Sequence, residues 1–434
     1  MVELSWLGHA KKTFTHSPNP IKLAMRDGSR ISLADLCEET APPCHLNPLL
    51  FNGHIQTIWT VMKDAGPQII YKRRIFESDD PAYAGQFSVD FVVQTPSPKD
   101  DTLPVLTTYY SEKEFEQIDS LDSKPMLVTL HGLSGGSHEL YLRHALAPLV
   151  AKEGGWEACV INSRGCAMSK ITTPLLYNAR ATWDIRQIVK WLREKFPNRP
   201  LFAIGFSLGA NILTNYIGEE GSNCVFKAAV VCSNPWNLEA GSLALQRSWM
   251  GLEIYSKTMG TNMKRLFETH MDQILKNPKI DVEKVRKLKY LHEFDRYIQG
   301  PTWGYPTEGA YYRDASSTDS MLAIRIPFLA INAEDDPICV NEAIPYEEFK
   351  QNPYAVLCTT SLGGHLSWFQ VGGTRWFAKA ADAFLIKVAN EVDLEAPLAE
   401  KVEANGSAVP VCKEATYDPM RRRLHVPHVP DASS

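Results

Sequence analysis

Beyond Lys124 the chain carries six short, uninterrupted apolar runs: Met126–Leu130, Ala158–Asn162, Leu201–Gly205, Ala228–Cys232, Phe328–Asn332 and Ala355–Thr359. They are short for helices and lack the polar alternation of a half-solvated strand, which predicts strands covered on both faces. Between them lie Leu140–Lys152, Asn178–Phe196, Leu208–Ile217 and Thr374–Val388, all with helical periodicity. In 178–196, Ile185, Ile188, Val189 and Leu192 fall on one face. Strands alternating with helices imply a parallel sheet with right-handed crossovers and helices on both sides, so the fold class is α/β. Ahead of Lys124, Gln68–Phe76, Gln86–Gln94 and Thr102–Tyr110 read as strands with Pro and Asp punctuation, an antiparallel opening.

One connection departs from this rhythm. From Trp236 to Arg325 about ninety residues separate two expected strands, where a crossover takes roughly ten to fifteen. The stretch has helical patterns of its own (Leu243–Met259, Lys264–Leu275, Val282–Leu291) and large apolar groups such as Trp249, Tyr255, Met263, Phe267 and Trp303. It is expected to form a helical cap over the carboxyl ends of the strands and to supply an apolar pocket; helices simply packed on the body are the plainer alternative. The division that follows is an N-terminal extension, 1–60, packing on the body; a core, 61–235 and 326–390; the cap insertion, 236–325; and a tail, 391–434, whose Glu, Ala, Pro, Lys and Ser content reads as disordered.

With 434 residues, 44% of them hydrophobic, a sizeable core is assured, and a net charge of −5 leaves no basic footprint for nucleic acid. The first residues do not read as a secretory signal, and no segment approaches the ~18 apolar residues of a membrane span. Nine cysteines without C-x-x-C spacing, several of them inside apolar runs, read as reduced thiols. The expected location is intracellular, in the cytoplasm or peripherally on lipid membranes or droplets. Metal-ligand, phosphate-loop and dinucleotide motifs are all missing from the sequence, so neither a metal nor a cofactor is expected.

The chemistry centres on Gly205-Phe206-Ser207-Leu208-Gly209, a G-x-S-x-G element between an apolar run and a helical pattern. Such a turn holds a serine hydroxyl at the end of a strand, and side chains at the glycines would collide with the neighbouring strand and helix. A serine nucleophile needs a base and an orienting carboxylate, which on this type of turn follow in the order Ser, Asp/Glu, His. Only His365, His425 and His428 lie well past the acid candidates, and the last two fall in the Pro-rich tail. His365 remains, in a Gly-rich loop after Ala355–Thr359. Of the acids, Glu334, Asp335 and Asp336 directly follow a strand. Asp336 is favoured over Asp335 because Pro337 restricts it to extended conformations. The oxyanion donors are assigned to the backbone N–H groups of Leu208, after the nucleophile, and Leu133, in the loop His131–His138. His131 and Arg164 read as structural, and nothing near Cys166 marks an activated thiolate.

Six motifs occur in order: Asn52-Gly-His-Ile-Gln-Thr57, His131-Gly-Leu-Ser-Gly-Gly-Ser-His-Glu-Leu-Tyr-Leu-Arg143, Asn162-Ser-Arg-Gly-Cys166, Gly205–Gly209, Asn332-Ala-Glu-Asp-Asp-Pro337 and Gly363-Gly-His365. Over roughly residues 45–390 the chain resembles the α/β-hydrolase branch of YheT-like hydrolases, abhydrolase-domain lipases and fungal medium-chain fatty acid ethyl ester synthase/esterases. The resemblance implies a mostly parallel eight-stranded sheet with helices on both faces, a Ser207, Asp336, His365 triad, and acyl chemistry on esters or acyl-CoA, medium-chain acyl groups favoured. Water as acceptor would make an esterase, and an alcohol an acyltransferase. A biosynthetic acyltransferase using a larger alcohol or a polyketide acyl group is also compatible, and a catalytically inactive binding module is the reading from another class.

Overall fold

The computed structural model describes residues 8–60, 66–95, 100–151 and 154–398. Its centre is a ten-stranded sheet. In chain order the strands are β1 (Lys12–His16), β2 (Ile70–Glu77), β3 (Gln86–Val93), β4 (Thr107–Tyr109), β5 (Met126–Leu130), β6 (Glu157–Asn162), β7 (Leu201–Phe206), β8 (Phe226–Cys232), β9 (Phe328–Ala333) and β10 (Ala355–Thr360). Across the sheet the order is β1-β10-β9-β8-β7-β5-β6-β3-β2-β4. The six apolar runs form the parallel block β6-β5-β7-β8-β9-β10, while β3 joins β6 and β1 joins β10 antiparallel.

Strand number corrects the expectation of eight. The expected strand at Thr102–Tyr110 shortens to the three-residue β4, paired with β2 in parallel, and the strand with no counterpart among the expected ones is β1 (Lys-Thr-Phe-Thr-His), which caps the β10 edge. A mostly polar edge strand has no apolar run to betray it, and its pairing is set by the open edge of β10 rather than by its own pattern.

Alternate strand residues serve opposite faces. Phe202 and Ile204 of β7 join a core built with Leu142, Leu146 and Leu149 of α3 (Leu140–Val150) and with Phe377, Phe384 and Val388 near the C-terminus. Leu201 and Ala203 face the other core, with Ile185, Ile188 and Leu192 of α4 (Trp183–Lys195) and Leu213 and Ile217 of α5 (Leu208–Glu220). Burying both faces is what makes the uninterrupted apolar runs necessary. The α4 helix starts five residues later than its periodicity suggests. Arg180 is tied to Asn215 Oδ1 at 2.7 Å and to the Asp314 carbonyl, and this holds 178–182 as a loop.

Helices of 238–321 bring their own apolar cluster, with Met263, Phe267, Val285, Phe294 and Trp303 packing on Leu176, Tyr177 and Trp183 of the body. Residues 392–398, placed in the expected tail, are bound to the body: Asp393 N–H donates to Ala24 O at 2.9 Å and Lys227 reaches Leu394 O at 2.7 Å. The rest of that expectation, 399–434, lies outside the described residues. Among the described residues no helix is long and apolar enough to cross a membrane.

A buried ion pair fastens the antiparallel strands to the loop after β5. Arg73 of β2 donates twice to Asp90 of β3, at 2.6 and 2.8 Å, and once to Ala167 O. Asp90 Oδ2 also accepts from Ser137 Oγ at 2.6 Å and Asn162 Nδ2 at 2.8 Å. Removing one partner leaves an uncompensated charge where both side chains are fully buried. Arg73→Leu should therefore destabilise the fold by about 3–5 kcal/mol in urea unfolding monitored by circular dichroism.

Candidate active site

Ser207 stands at the carboxyl end of β7, between β5 and β8, with φ 51° and ψ −121°. This is a strained conformation for a residue with a side chain. A Cβ at Gly205 would lie 2.8 Å from Ala210 Cα, and one at Gly209 would lie 2.4 Å from His131 O and 2.5 Å from Leu130 O. Both glycines are required, one by the following helix and the other by the adjoining strand.

Two later loops meet the serine. Ser207 Oγ lies 2.9 Å from His365 Nε2, and His365 Nδ1 lies 2.8 Å from Asp336 Oδ2. With Nδ1–H donating to the carboxylate, Nε2 is free to accept from the serine hydroxyl. Asp336 Oδ1 accepts from Ile338 N–H at 2.8 Å and Cys339 N–H at 2.9 Å. The adjacent Asp335 turns away: its Oδ1 accepts from Gly364 N–H at 3.0 Å, and its buried Oδ2 has no partner among the described residues. Burial pushes the Asp335 carboxyl up to about 6. Geometry thus separates two neighbours that their strand-end position leaves open.

Asp336, Cys339 and His365 also lie close enough together to suggest metal ligands. Their atoms are otherwise engaged: both imidazole nitrogens are taken, and the Cys339 thiol, kept protonated by burial, donates to Ser233 O at 3.0 Å.

The loop after β5 presses on the serine, so that a Cβ at Gly132 would be 3.3 Å from Ser207 Cβ. Gly132 N–H donates to Tyr141 Oη at 2.8 Å and Ser134 N–H to Tyr177 Oη at 2.9 Å. The intervening Leu133 N–H has no acceptor among the described residues, and neither has Leu208 N–H. Two tyrosine hydroxyls therefore pin the loop on either side of a vacant donor. His131 is buried and structural: Nδ1–H donates to Gly132 O at 2.6 Å, Nε2 accepts from Ser163 N–H at 3.0 Å, and burial lowers its pKa to about 4. Arg164 is bidentate to Asp184 at 2.9 and 2.6 Å. The Cys166 thiol is pushed up to about 12 by burial, which rules out a resting thiolate.

Asn52–Thr57 carries no expected role in the sequence, and the structure supplies one. Asn52 caps a short helix, Gly53–Trp59, by accepting from Ile55 N–H at 2.9 Å. Thr57 Oγ1 accepts from His365 N–H at 2.9 Å and Gln56 Oε1 from Phe369 N–H at 2.9 Å. Gly53 and Gly364 permit the contact, since Cβ atoms there would meet Asp335 O at 1.8 Å and Gly53 O at 2.6 Å. The only sequence signal was the recurrence of these residues as one of the six motifs.

Beside Ser207 opens a cavity with about 830 Å³ of empty space when the open solvent at its entrance is included. Leu133, Leu208 and Ile338 line it from the body, and Leu238, Leu245, Met259, Met263 and Leu291 from the inserted segment. The wall is mainly apolar, as the walls of small-molecule sites are.

Residues 125–370 match the alpha/beta hydrolase fold family. The chain is 40% identical over 359 residues to a monoacylglycerol lipase of Saccharomyces cerevisiae, covering 78% of this chain and 79% of that one. It is 32% identical over 386 residues to medium-chain fatty acid ethyl ester synthase/esterase 2 of the same yeast, covering 79% and 85%. Phospholipase ABHD3 of Mus musculus is 30% identical over 318 residues, covering 73% and 70%. With the family match spanning β5 to β10, the serine turn and both later loops, the chain belongs to the α/β-hydrolase family, in its abhydrolase-domain lipase branch.

Proposed function

We propose that the protein is a serine hydrolase that cleaves carboxylic acyl esters through an acyl-enzyme. The observation that carries this reading is the unbroken hydrogen-bond chain from Ser207 through His365 to Asp336 at the mouth of a largely apolar cavity. In this mechanism Ser207 Oγ attacks the ester carbonyl carbon as its proton passes to His365 Nε2. Asp336 holds the imidazole in the tautomer that makes Nε2 the base and stabilises the cation that forms. The negative carbonyl oxygen of the tetrahedral intermediate is taken by the N–H groups of Leu133 and Leu208. His365 then protonates the departing alcohol oxygen, leaving the acyl group on Ser207. Water activated by the same imidazole releases the acid and restores the serine.

Transfer to an alcohol would use the same acyl-enzyme, with the alcohol hydroxyl deprotonated at His365 in place of water. The yeast relative named as an ester synthase/esterase favours keeping this as a second outcome. The two are separated by product analysis with medium-chain acyl esters and acyl-CoAs, with and without added ethanol. A new ethyl ester supports transfer, and free acid alone supports hydrolysis.

Ser207→Ala should abolish labelling by a fluorophosphonate probe and lower ester hydrolysis by about 10³-fold or more. Persistent labelling of the folded variant would overturn the assignment. Asp336→Asn should lose about 10⁴-fold in kcat through the wrong imidazole tautomer, while Asp335→Asn should lose roughly tenfold or less.

The Asp335 pair also makes a pH prediction. A carboxyl raised to about 6 in the fold binds its proton more tightly there than when unfolded. The stability this contributes is complete below the unfolded pKa and is lost as pH rises through about 6. Asparagine has no proton to lose. The stability of Asp335→Asn relative to the parent should therefore rise by about 1–3 kcal/mol between pH 4 and pH 7 in denaturant titrations.

A further inference from the structure

The short helix Gly53–Trp59 has a contact besides those of Gln56 and Thr57. His54 Nδ1 lies 2.8 Å from Tyr255 Oη, and the two rings stack with centroids 5.7 Å apart and planes 17° from parallel. Tyr255 belongs to the inserted segment, on the π-helical turn Gly251–Ser256, a rare conformation that recurs at functional sites. It is buried, and Ser256, the next residue, lines the cavity. Burial, with the Asp336 carboxylate adding to it, pushes the Tyr255 phenol up to about 12, so the hydroxyl keeps its proton. One seven-residue helix thus meets the segment that walls the cavity through His54, the His365 loop through Thr57 and Gln56, and Asp335 through Gly53. The inserted segment has other anchors. His270 Nε2 lies 2.9 Å from Gly165 O, Gln299 Nε2 donates to Tyr177 O at 3.0 Å, and Tyr311 Oη accepts from Ala179 N–H at 2.9 Å. Those three grip residues 165–179, whereas Tyr255 grips the helix that holds the histidine.

Resting on the serine-hydrolase reading, we infer that His54 is a positioning residue for His365: clamped by Tyr255, it fixes the helix whose Thr57 holds the His365 backbone, so the wall of the cavity sets the place of the general base. A helix of about two turns is too short to keep its place by its own hydrogen bonds. Ile58 and Trp59 are exposed, so burial anchors it only in part. The side-chain contacts of His54, Gln56 and Thr57 therefore fix it, and of these His54 leads away from the His365 loop. That loop cannot correct a misplaced helix, because Gly364, Leu366 and Trp368 have positive φ and are held from outside. A shift of the Thr57 hydroxyl moves His365 N–H, and with it an imidazole whose Nε2 lies 2.9 Å from Ser207 Oγ. Misplacing a reacting group by ~1 Å costs on the order of 100-fold in rate.

Turnover of p-nitrophenyl octanoate by folded full-length variants tests this. His54→Phe keeps a ring and loses the hydrogen bond, as Tyr255→Phe does from the other side. Each should lower kcat about tenfold while KM stays within about threefold of the parent. His54→Asn should bring kcat back to within about threefold, because its amide sets a donor and an acceptor as many bonds from the backbone as Nδ1. Thr57→Val removes the hydroxyl that takes His365 N–H. Adding His54→Phe to it should cost less than about twofold more, since both act along one line. An unchanged kcat with raised KM would make His54 a mere fastening of the inserted segment. That result, absence of rescue by asparagine, or full additivity with Thr57→Val overturns the assignment. Should His54→Phe fail to fold, Tyr255→Phe carries the kcat and additivity comparisons. The hydrolase reading fails separately: fluorophosphonate labelling that does not depend on Ser207 would sink it whatever His54 does.

Discussion

The site depends on one residue being held where its backbone would not settle unaided. Strand β7 must end and α5 begin within a single residue, and that residue, Ser207, has φ 51° and ψ −121°. A conformation of this kind is disfavoured by about 1–3 kcal/mol and persists only when its surroundings over-determine it. Here Ser207 N–H donates to Cys232 O at 2.9 Å, and Ser207 O accepts from Ala210 and Asn211 N–H. Because β7 is flanked in parallel by β5 and β8, the sheet itself supplies the restraint. The loop that carries Leu133 follows β5, so the strained serine and the unpaired Leu133 and Leu208 N–H groups share one rigid platform.

The histidine is positioned from much farther away in sequence. Gly364, Leu366 and Trp368 all have positive φ, at 64°, 52° and 43°. Two of the three are not glycine, so this loop is locally disfavoured and must be held by tertiary contacts. Thr57 and Gln56 take the N–H groups of His365 and Phe369, Ser233 Oγ accepts from Leu366 N–H at 3.1 Å, and the buried Arg375 donates to Leu366 O. The segment around Gly53 is thus part of the active-site architecture. It determines where the imidazole sits, whereas chain order in the core determines only that an imidazole arrives.

These contrasts explain what could be read in the sequence. The six parallel strands were legible because burial on both faces leaves no freedom for polar residues. That Ser207 and His365 would meet was legible because turn chemistry and chain order eliminate the alternatives. Strand β1 was not, since a polar edge strand is specified by its partner. Nor was the Arg73–Asp90 pair: each residue looks like the solvated half of an alternating strand, and only the loop packed above buries both. The break in the first inserted helix was hidden for a similar reason. Leu238–Arg247 ends at Ser248, and a π-helical turn over Gly251–Ser256 follows, although the apolar pattern runs on to Met259. Pattern records which face is apolar and is blind to a register slip that keeps the face.

Three carboxyl groups at the site and its cavity differ in the donors they receive. Asp336 receives three hydrogen bonds, from Ile338 N–H, Cys339 N–H and His365. Asp335 has an oxygen with no partner among the described residues, and the cavity-lining Asp295 accepts from the Tyr312 hydroxyl; burial raises both. In the proposed mechanism the orienting carboxylate stabilises the imidazolium that forms beside it. A lysine or arginine ion pair would stabilise the carboxylate too, but it would compete for the same charge and oppose proton transfer to His365. Backbone N–H groups carry only partial charge and stay fixed to the loop. Holding Asp336 by amides therefore leaves its full interaction for the histidine, and the turn Asp336–Cys339 is the device that allows it.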